Sequence, residues 1–203
     1  MSAGTPAPVG LRERKKLATR EALAQAALRL ALERGLEHVR VEDVAAEAGV
    51  SARTFNNYFA SKEEAIVSIG VDRAAATAEA LLRRPADEPL VESLCHAVAG
   101  QHLAADRVDR DHVERIRLVI SSPALRGEYL KAIVASERPL ARAIAERTEA
   151  DAAGLHPRVV AAAVTSATRV ATAHWVQSGG TGSLADVIRE AIRQVVGDAG
   201  ADR

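Results

Sequence analysis

The residues best suited to chemistry lie between positions 51 and 58. Ser51, Arg53, Thr54, Asn57 and Tyr58 put hydroxyls, an amide and a guanidinium on one side of a short predicted helix, Ala52–Tyr58, while Phe55 and Phe59 take the other. Such a face can meet phosphates and base edges, since Asn suits paired hydrogen bonds to adenine and Arg to guanine. No set of residues comparable to this one supports catalysis. Ser121 and Ser122 lack a G-x-S-x-G setting, and neither a Gly-rich phosphate loop nor a paired-carboxylate motif occurs. His96 and His102 are six residues apart and neither meets another His or Cys at helical ligand spacing; His112 would join them only through an assumed helix packing. Cys95 is the only cysteine, which rules out an intrachain disulfide and a Cys-based zinc site; it reads as a small buried residue. No catalytic residue, metal or cofactor is expected.

The elements that must position the polar face are helical. Of the 203 residues 48% are hydrophobic, mostly Ala, Leu and Val, and only 2% are aromatic, which suits helices over strands. Leu17, Leu23, Ala24, Ala27, Leu28, Ala31 and Leu32 recur at helical steps through Leu11–Arg34, and Gly35 stands at the C-cap. Val41–Ala48 forms a second helix with Val41, Val44, Ala45 and Ala48 on one face, and Gly49 ends it. Ser51 caps the third helix, and Ser61 caps a fourth running from Lys62 to about Arg83. The short helices must brace each other and the long first one, because each falls below the roughly 12–15 residues that an isolated helix needs. Ala45 and Ala48 permit close approach, Gly49 the sharp turn, and Val50 fills the angle.

Further helices are predicted near Glu88–Ala104, Asp109–Ser121 and Ser122–Thr148, from Pro157 to Ser178, and over Ser183–Val196. Arg84–Pro89 is a connection, and Pro139 should kink or split its helix. No strand alternation and no fixed-period repeat is present, so the fold class is all-α, with about nine helices. The Pro/Gly/Ala-rich Met1–Gly10 is expected to be disordered; it lacks a signal pattern, and no apolar run approaches a membrane span. A cytoplasmic setting without a membrane partner is the expectation. Net charge is zero overall, but residues 1–62 hold ten basic and seven acidic side chains, the sign that suits a polyanion. Arg12, Arg14, Lys15 and Lys16, placed ahead of the first helix, could reach phosphates or a minor groove, or be a solvated terminus.

The segment Val44-Ala45-Ala46-Glu47-Ala48-Gly49-Val50-Ser51, then Thr54-Phe55, then Tyr58-Phe59-Ala60-Ser61-Lys62-Glu63-Glu64, with the long helix before it, resembles the TetR family of bacterial regulators. The resemblance implies a three-helix DNA-binding domain over residues 1–62 and a ligand-binding and dimerisation domain over 63–203. It also implies that Thr54 and Tyr58 touch the DNA backbone, that Lys62 contacts a phosphate, and that Arg53, Asn56 and Asn57 lie where members of the family read bases. Two residues depart from the family pattern. Arg40 stands where Thr or Ser often caps the second helix and contacts phosphate; it cannot cap that way, although its charge could reach phosphate. Asn56 stands where an aromatic is common.

The remaining chain more loosely resembles the subgroup with acyl-CoA-like ligands, through Arg117–Leu130, Glu137–Arg147 and the Pro157–Trp175 helix. That implies an apolar pocket for a small hydrophobic or acyl-type effector, with Leu94, Val98, Leu118, Ile120, Tyr129 and Ile133 as candidate lining; ordinary core is the simpler reading of each. Arg115 and Arg117 could neutralise a ligand anion or belong to a solvated face, as the Asp106–Asp111 run does. Alanines 161–163, 167, 171 and 173 offer a small-residue dimer surface, with Trp175 and Ile188 adding bulk and Val159 and Val164 in either interface or core. One short helix reads few base pairs, and a two-fold axis sets a second about 34–36 Å away on a palindromic operator of double-stranded DNA. The expected function is a ligand-responsive repressor acting as a homodimer. The alternative is a helical small-molecule binding protein or hydrolase with a vestigial helix-turn-helix.

Overall fold

The computed structural model describes residues 10–102 and 110–197, and the chain divides into two compact units, residues 1–66 and 67–203. Among the described residues there are nine α-helices, one 3-10 turn and no strand. The expectations for residues 1–9 and 106–109, and those for the side chains of Arg110, Asp111, His112 and Arg115, lie outside what is described.

The first unit holds α1 (Leu11–Arg34), a 3-10 turn (Leu36–His38), α2 (Val41–Glu47), α3 (Ala52–Asn56) and the start of α4 (Lys62–Leu82), which continues into the second unit. Leu23, Ala27, Leu30 and Ala31 form the buried stripe of α1, and Leu36, Val39, Val44, Phe55 and Phe59 are buried with them. Helix α1 packs on α2, and α2 on α3, so helices of seven and five residues persist because tertiary burial supports them. Two expectations change. Leu11–Ala18 is already helical and wholly exposed, with Leu17 at 53%, so the basic Arg12–Lys16 cluster rides on α1 and does not precede it. Helix α3 stops at Asn56 because Asn57 and Tyr58 donate to Thr54 and Phe55 carbonyls three residues back, tightening the last turn.

The second unit comprises the rest of α4 with α5 (Leu90–Gly100), α6 (Arg110–Ser121), α7 (Pro123–Arg147), α8 (Leu155–Gln177) and α9 (Leu184–Val196). Helix α8 is central: α6, α7 and α9 pack on it, and α5 packs on α9. Leu184, Ile188, Ile192 and Val196 repeat every four residues as the buried stripe of α9, while Asp186, Glu190 and Gln194 face water. Pro139 lies inside α7 without splitting it. Its missing N–H costs one helical bond, and burial of Leu140, Ala141 and Ile144 in the next turn holds the helix through. Gly180 closes the α8–α9 turn at φ 67°, where an added Cβ would stand 2.6 Å from Val113 Cγ2, so the turn needs glycine for both conformation and space.

Trp175 and Ile188 are not dimer-surface bulk as expected: they are 2% and 0% exposed within one protomer. The Trp175 indole N–H donates to the Gly182 carbonyl at 3.1 Å, which fixes the ring inward. Ala161, Ala167, Ala171 and Val164 are likewise core, whereas Val159 and Val170 stand 55% and 54% exposed. A polar knot locks the Arg84–Pro89 connection. Arg147, at the end of α7, donates to the carbonyls of Arg84 (3.2 Å), Glu88 (2.8 Å) and Pro85. The Glu88 carboxylate accepts from Arg84 Nε and Ser93 Oγ, each at 2.7 Å, and meets His96 Nδ1 at 3.1 Å. The Arg84 and Ser93 hydrogen bonds hold that carboxyl down at about 2, against an ordinary 4.5.

Candidate nucleic-acid interface

The interface is built on the buried pair Phe55 and Phe59, whose rings lie 5.8 Å apart at 50°. The guanidinium of Arg20, from α1, sits 5.1 Å from the Phe59 ring centre, and an Arg29–Glu47 ion pair joins α1 to α2. Between α2 and α3 the chain turns at Gly49 (φ 69°), with Val50 N–H donating to the Ala45 carbonyl at 2.9 Å. Ser51 then caps α3: its Oγ accepts the Thr54 N–H at 3.1 Å and lies 2.9 Å from the Thr54 hydroxyl. These contacts set the pitch of α3 before any ligand arrives.

On that frame Arg53, Asn56 and Asn57 occupy positions i, i+3 and i+4 and are all exposed. Among the described residues their side chains make no hydrogen bond or ion pair, so their donors and acceptors are uncommitted. Tyr58 is half-buried beside this row, as is Thr54, whose hydroxyl is engaged by Ser51. Arg40 is the N-cap of α2 and makes no side-chain cap. The cap comes from the other direction: the Asp43 carboxylate accepts the Arg40 N–H at 3.0 Å, which leaves the Arg40 side chain exposed and free of other bonds among the described residues. Asp43 was legible as an N3 acid, although the sequence reading passed over it.

Lys62 is placed differently from the other expected contacts. Its side chain is only 18% exposed, and Nζ donates to the carbonyls of Leu36 and Val39, each at 2.7 Å. The lysine therefore ties the start of α4 to the link between α1 and α2, with two of its three N–H donors spent. Beside it Ser61 Oγ accepts the Glu64 N–H (3.0 Å) and Glu64 accepts the Ala60 N–H (2.7 Å), anchoring the helix start.

The expected effector residues do not converge as a set. Leu94 and Val98 are 0% and 5% exposed in the packed core, while Leu118, Ile120, Tyr129 and Ile133 are half-buried. Burial raises the Tyr129 hydroxyl above its usual value, against a smaller opposing effect of Arg169. Arg117 is exposed and ion-paired with Glu114, consistent with a solvated face. Cys95 is buried, its Sγ 3.6 Å from the Arg189 carbonyl, and burial pushes the thiol up. No described helix is long and apolar enough to cross a membrane.

A short helix with an uncommitted polar row, braced at a fixed angle by a second helix and a glycine turn, defines a helix-turn-helix DNA-binding protein. Residues 23–67 match the family model for bacterial regulatory proteins of the tetR family, and residues 88–199 match the model for the MftR C-terminal domain. The chain is 35% identical over 182 residues to the HTH-type transcriptional regulator TcmR of Streptomyces glaucescens, covering 84% of this chain and 79% of that protein. This protein belongs to the TetR family of transcriptional regulators. Solved structures share the fold. A TetR-family regulator from Syntrophomonas wolfei superposes with a TM-score of 0.64 at 15% identity, covering 93% of this chain and 98% of that one. FadR of Thermus thermophilus, a repressor solved with lauroyl-CoA, gives 0.58 at 21% identity over 87% and 93% of the two chains.

Proposed function

We propose that this regulator is a homodimeric repressor that holds a palindromic operator through α3 and releases it when a small hydrophobic or acyl-type effector binds in residues 67–203. The observation that carries this reading is the uncommitted row Arg53, Asn56 and Asn57 on a helix whose other face is fixed by Phe55 and Phe59. Arg53, Asn56 and Asn57 read bases; Arg40, Ser51, Thr54 and Tyr58 lie against the phosphates, where Ser51 and Thr54 act largely by holding the helix start. Lys62 supports the head from behind, its ammonium held by the Leu36 and Val39 carbonyls and 3.9 Å from the Glu63 carboxylate.

The dimer rests on α8. Val159 and Val170 are eleven residues, or three turns, apart, so they share a face, and both stand open to water in the single chain. Leu118, Tyr129 and Ile133 remain the effector-lining candidates, supported by their partial burial and by the lauroyl-CoA bound to the Thermus thermophilus relative. Release requires the effector to bind the operator-incompetent state more tightly than the competent one.

The test is binding of the purified protein to DNA flanking its own gene at several salt concentrations, with lauroyl-CoA and shorter acyl-CoA probes added in turn. A specific complex that weakens steeply with salt and is dissolved by one probe supports the reading. Absence of any specific complex across selected genomic fragments would favour a small-molecule binding protein or hydrolase with a vestigial head.

A further inference from the structure

The second unit carries a groove of about 570 Å³ between the C-terminal half of α7 and the chain leading into α8. Arg138 and Arg142 reach it from one side of α7, four residues apart, and Arg158 reaches it from the first turn of α8. Only one carboxylate, Glu137, lines the same groove, and the rest of the wall is small and apolar, including Val134 and Ala153. Elsewhere on this unit Arg84, Arg117, Arg189 and Arg193 each pair with a carboxylate. The three groove arginines have no such partner among the described residues. The turn beneath them is firmly built: Asp151 Oδ1 accepts the Ala153 N–H at 2.9 Å, and the Gly154 N–H reaches the Asp151 carbonyl at 2.8 Å.

Three guanidiniums lining one groove repel one another, and a single lining carboxylate leaves an excess of two positive charges. A dianionic phosphate matches that excess in charge. Its oxygens also suit the planar fork of arginine, which donates paired hydrogen bonds that lysine cannot. Val134, 66% exposed at one end of the groove, gives an apolar footing beside the charge. We propose that this groove binds a small organic phosphate, the phosphate held by Arg138, Arg142 and Arg158 and the organic body lying against Val134 and Ala153. None of the candidate positions for a hydrophobic effector lines this groove, and the proposal does not depend on the proposed repressor cycle.

The experiment is calorimetric titration of the full-length protein with adenosine 5′-monophosphate, inorganic pyrophosphate and succinate at constant ionic strength. Both phosphates should bind once per protomer. Arg138→Ala, Arg142→Ala and Arg158→Ala should each weaken binding about tenfold or more, the usual effect of removing a charged hydrogen-bonding partner. Arg126→Ala, an exposed arginine of α7 outside the groove, should leave it unchanged. Binding that survives the triple arginine variant, or that is lost instead on Lys15→Ala with Lys16→Ala in the basic start of α1, overturns the assignment. So does succinate binding as tightly as either phosphate, or no binding up to about 10 mM.

Discussion

Replacing Lys62 with Met keeps most of the aliphatic stem and removes the ammonium that donates to the Leu36 and Val39 carbonyls at 2.7 Å. A hydrogen bond to a charged donor contributes roughly 1.5–3 kcal/mol net. Water can reach part of this site, the lysine being 18% exposed, and recovers some of that for the orphaned carbonyls. A total loss of about 2–4 kcal/mol is expected. In a unit of residues 1–66 each 1 kcal/mol moves the midpoint by roughly 4–8 °C, so the head should melt about 8–32 °C lower. Thermal unfolding, with hydrogen exchange followed in α1 and α2, reads this directly. Below the new midpoint the salt dependence of operator binding should match the parent. A lysine that served only as a phosphate contact would behave differently: the slope of log K against log salt would drop by about 1.8 for two protomers. An unchanged midpoint together with that loss of slope would refute the supporting role assigned to Lys62.

Asn57→Ala should change operator preference at one position per half-site, by about 1–3 kcal/mol of discrimination, in a binding selection against the parent; a uniform loss over all sequences would reject base reading by this residue. The Glu88 carboxyl is lowered in the fold from 4.5 to about 2, so its stabilising contribution is complete above its unfolded value and is lost as pH falls through that window. Glu88→Gln should flatten the acid side of the stability–pH curve between roughly pH 4.5 and 2, measured by chemical unfolding, and parallel curves for the two proteins would contradict the Arg84–Ser93 assignment. Val159→Asp with Val170→Asp should leave the protomer folded, because both side chains already face water, yet shift the protein to monomer in sedimentation and lower operator affinity. An intact dimer would remove this face of α8 from the proposed interface.

Much of the head was legible because its determinants are local. Gly49, the Ser51 cap and the Phe55–Phe59 spacing act within a few residues, and the structure reproduces each of them. Helical periodicity likewise placed the later helices within a few residues of their observed ends. It could not tell which side of a helix rich in alanine faces its own core, since alanine suits a core and an interface equally. Trp175 and Ile188 were therefore misassigned, and only the packing of α8 on α9, with the Trp175 bond to the Gly182 carbonyl, decided their place.

The sequence by itself determined a helical chain with a polar face at Ser51, Arg53, Thr54, Asn57 and Tyr58 after a glycine turn, because periodicity and capping are written in near neighbours. Tertiary structure alone decided that Lys62 spends its charge on carbonyls 26 and 23 residues away, and that Arg147 ties down a loop about sixty residues earlier. It also brought Arg158 to the groove of Arg138 and Arg142. Contacts of that span depend on how whole helices pack, and no local spacing of residue types records them.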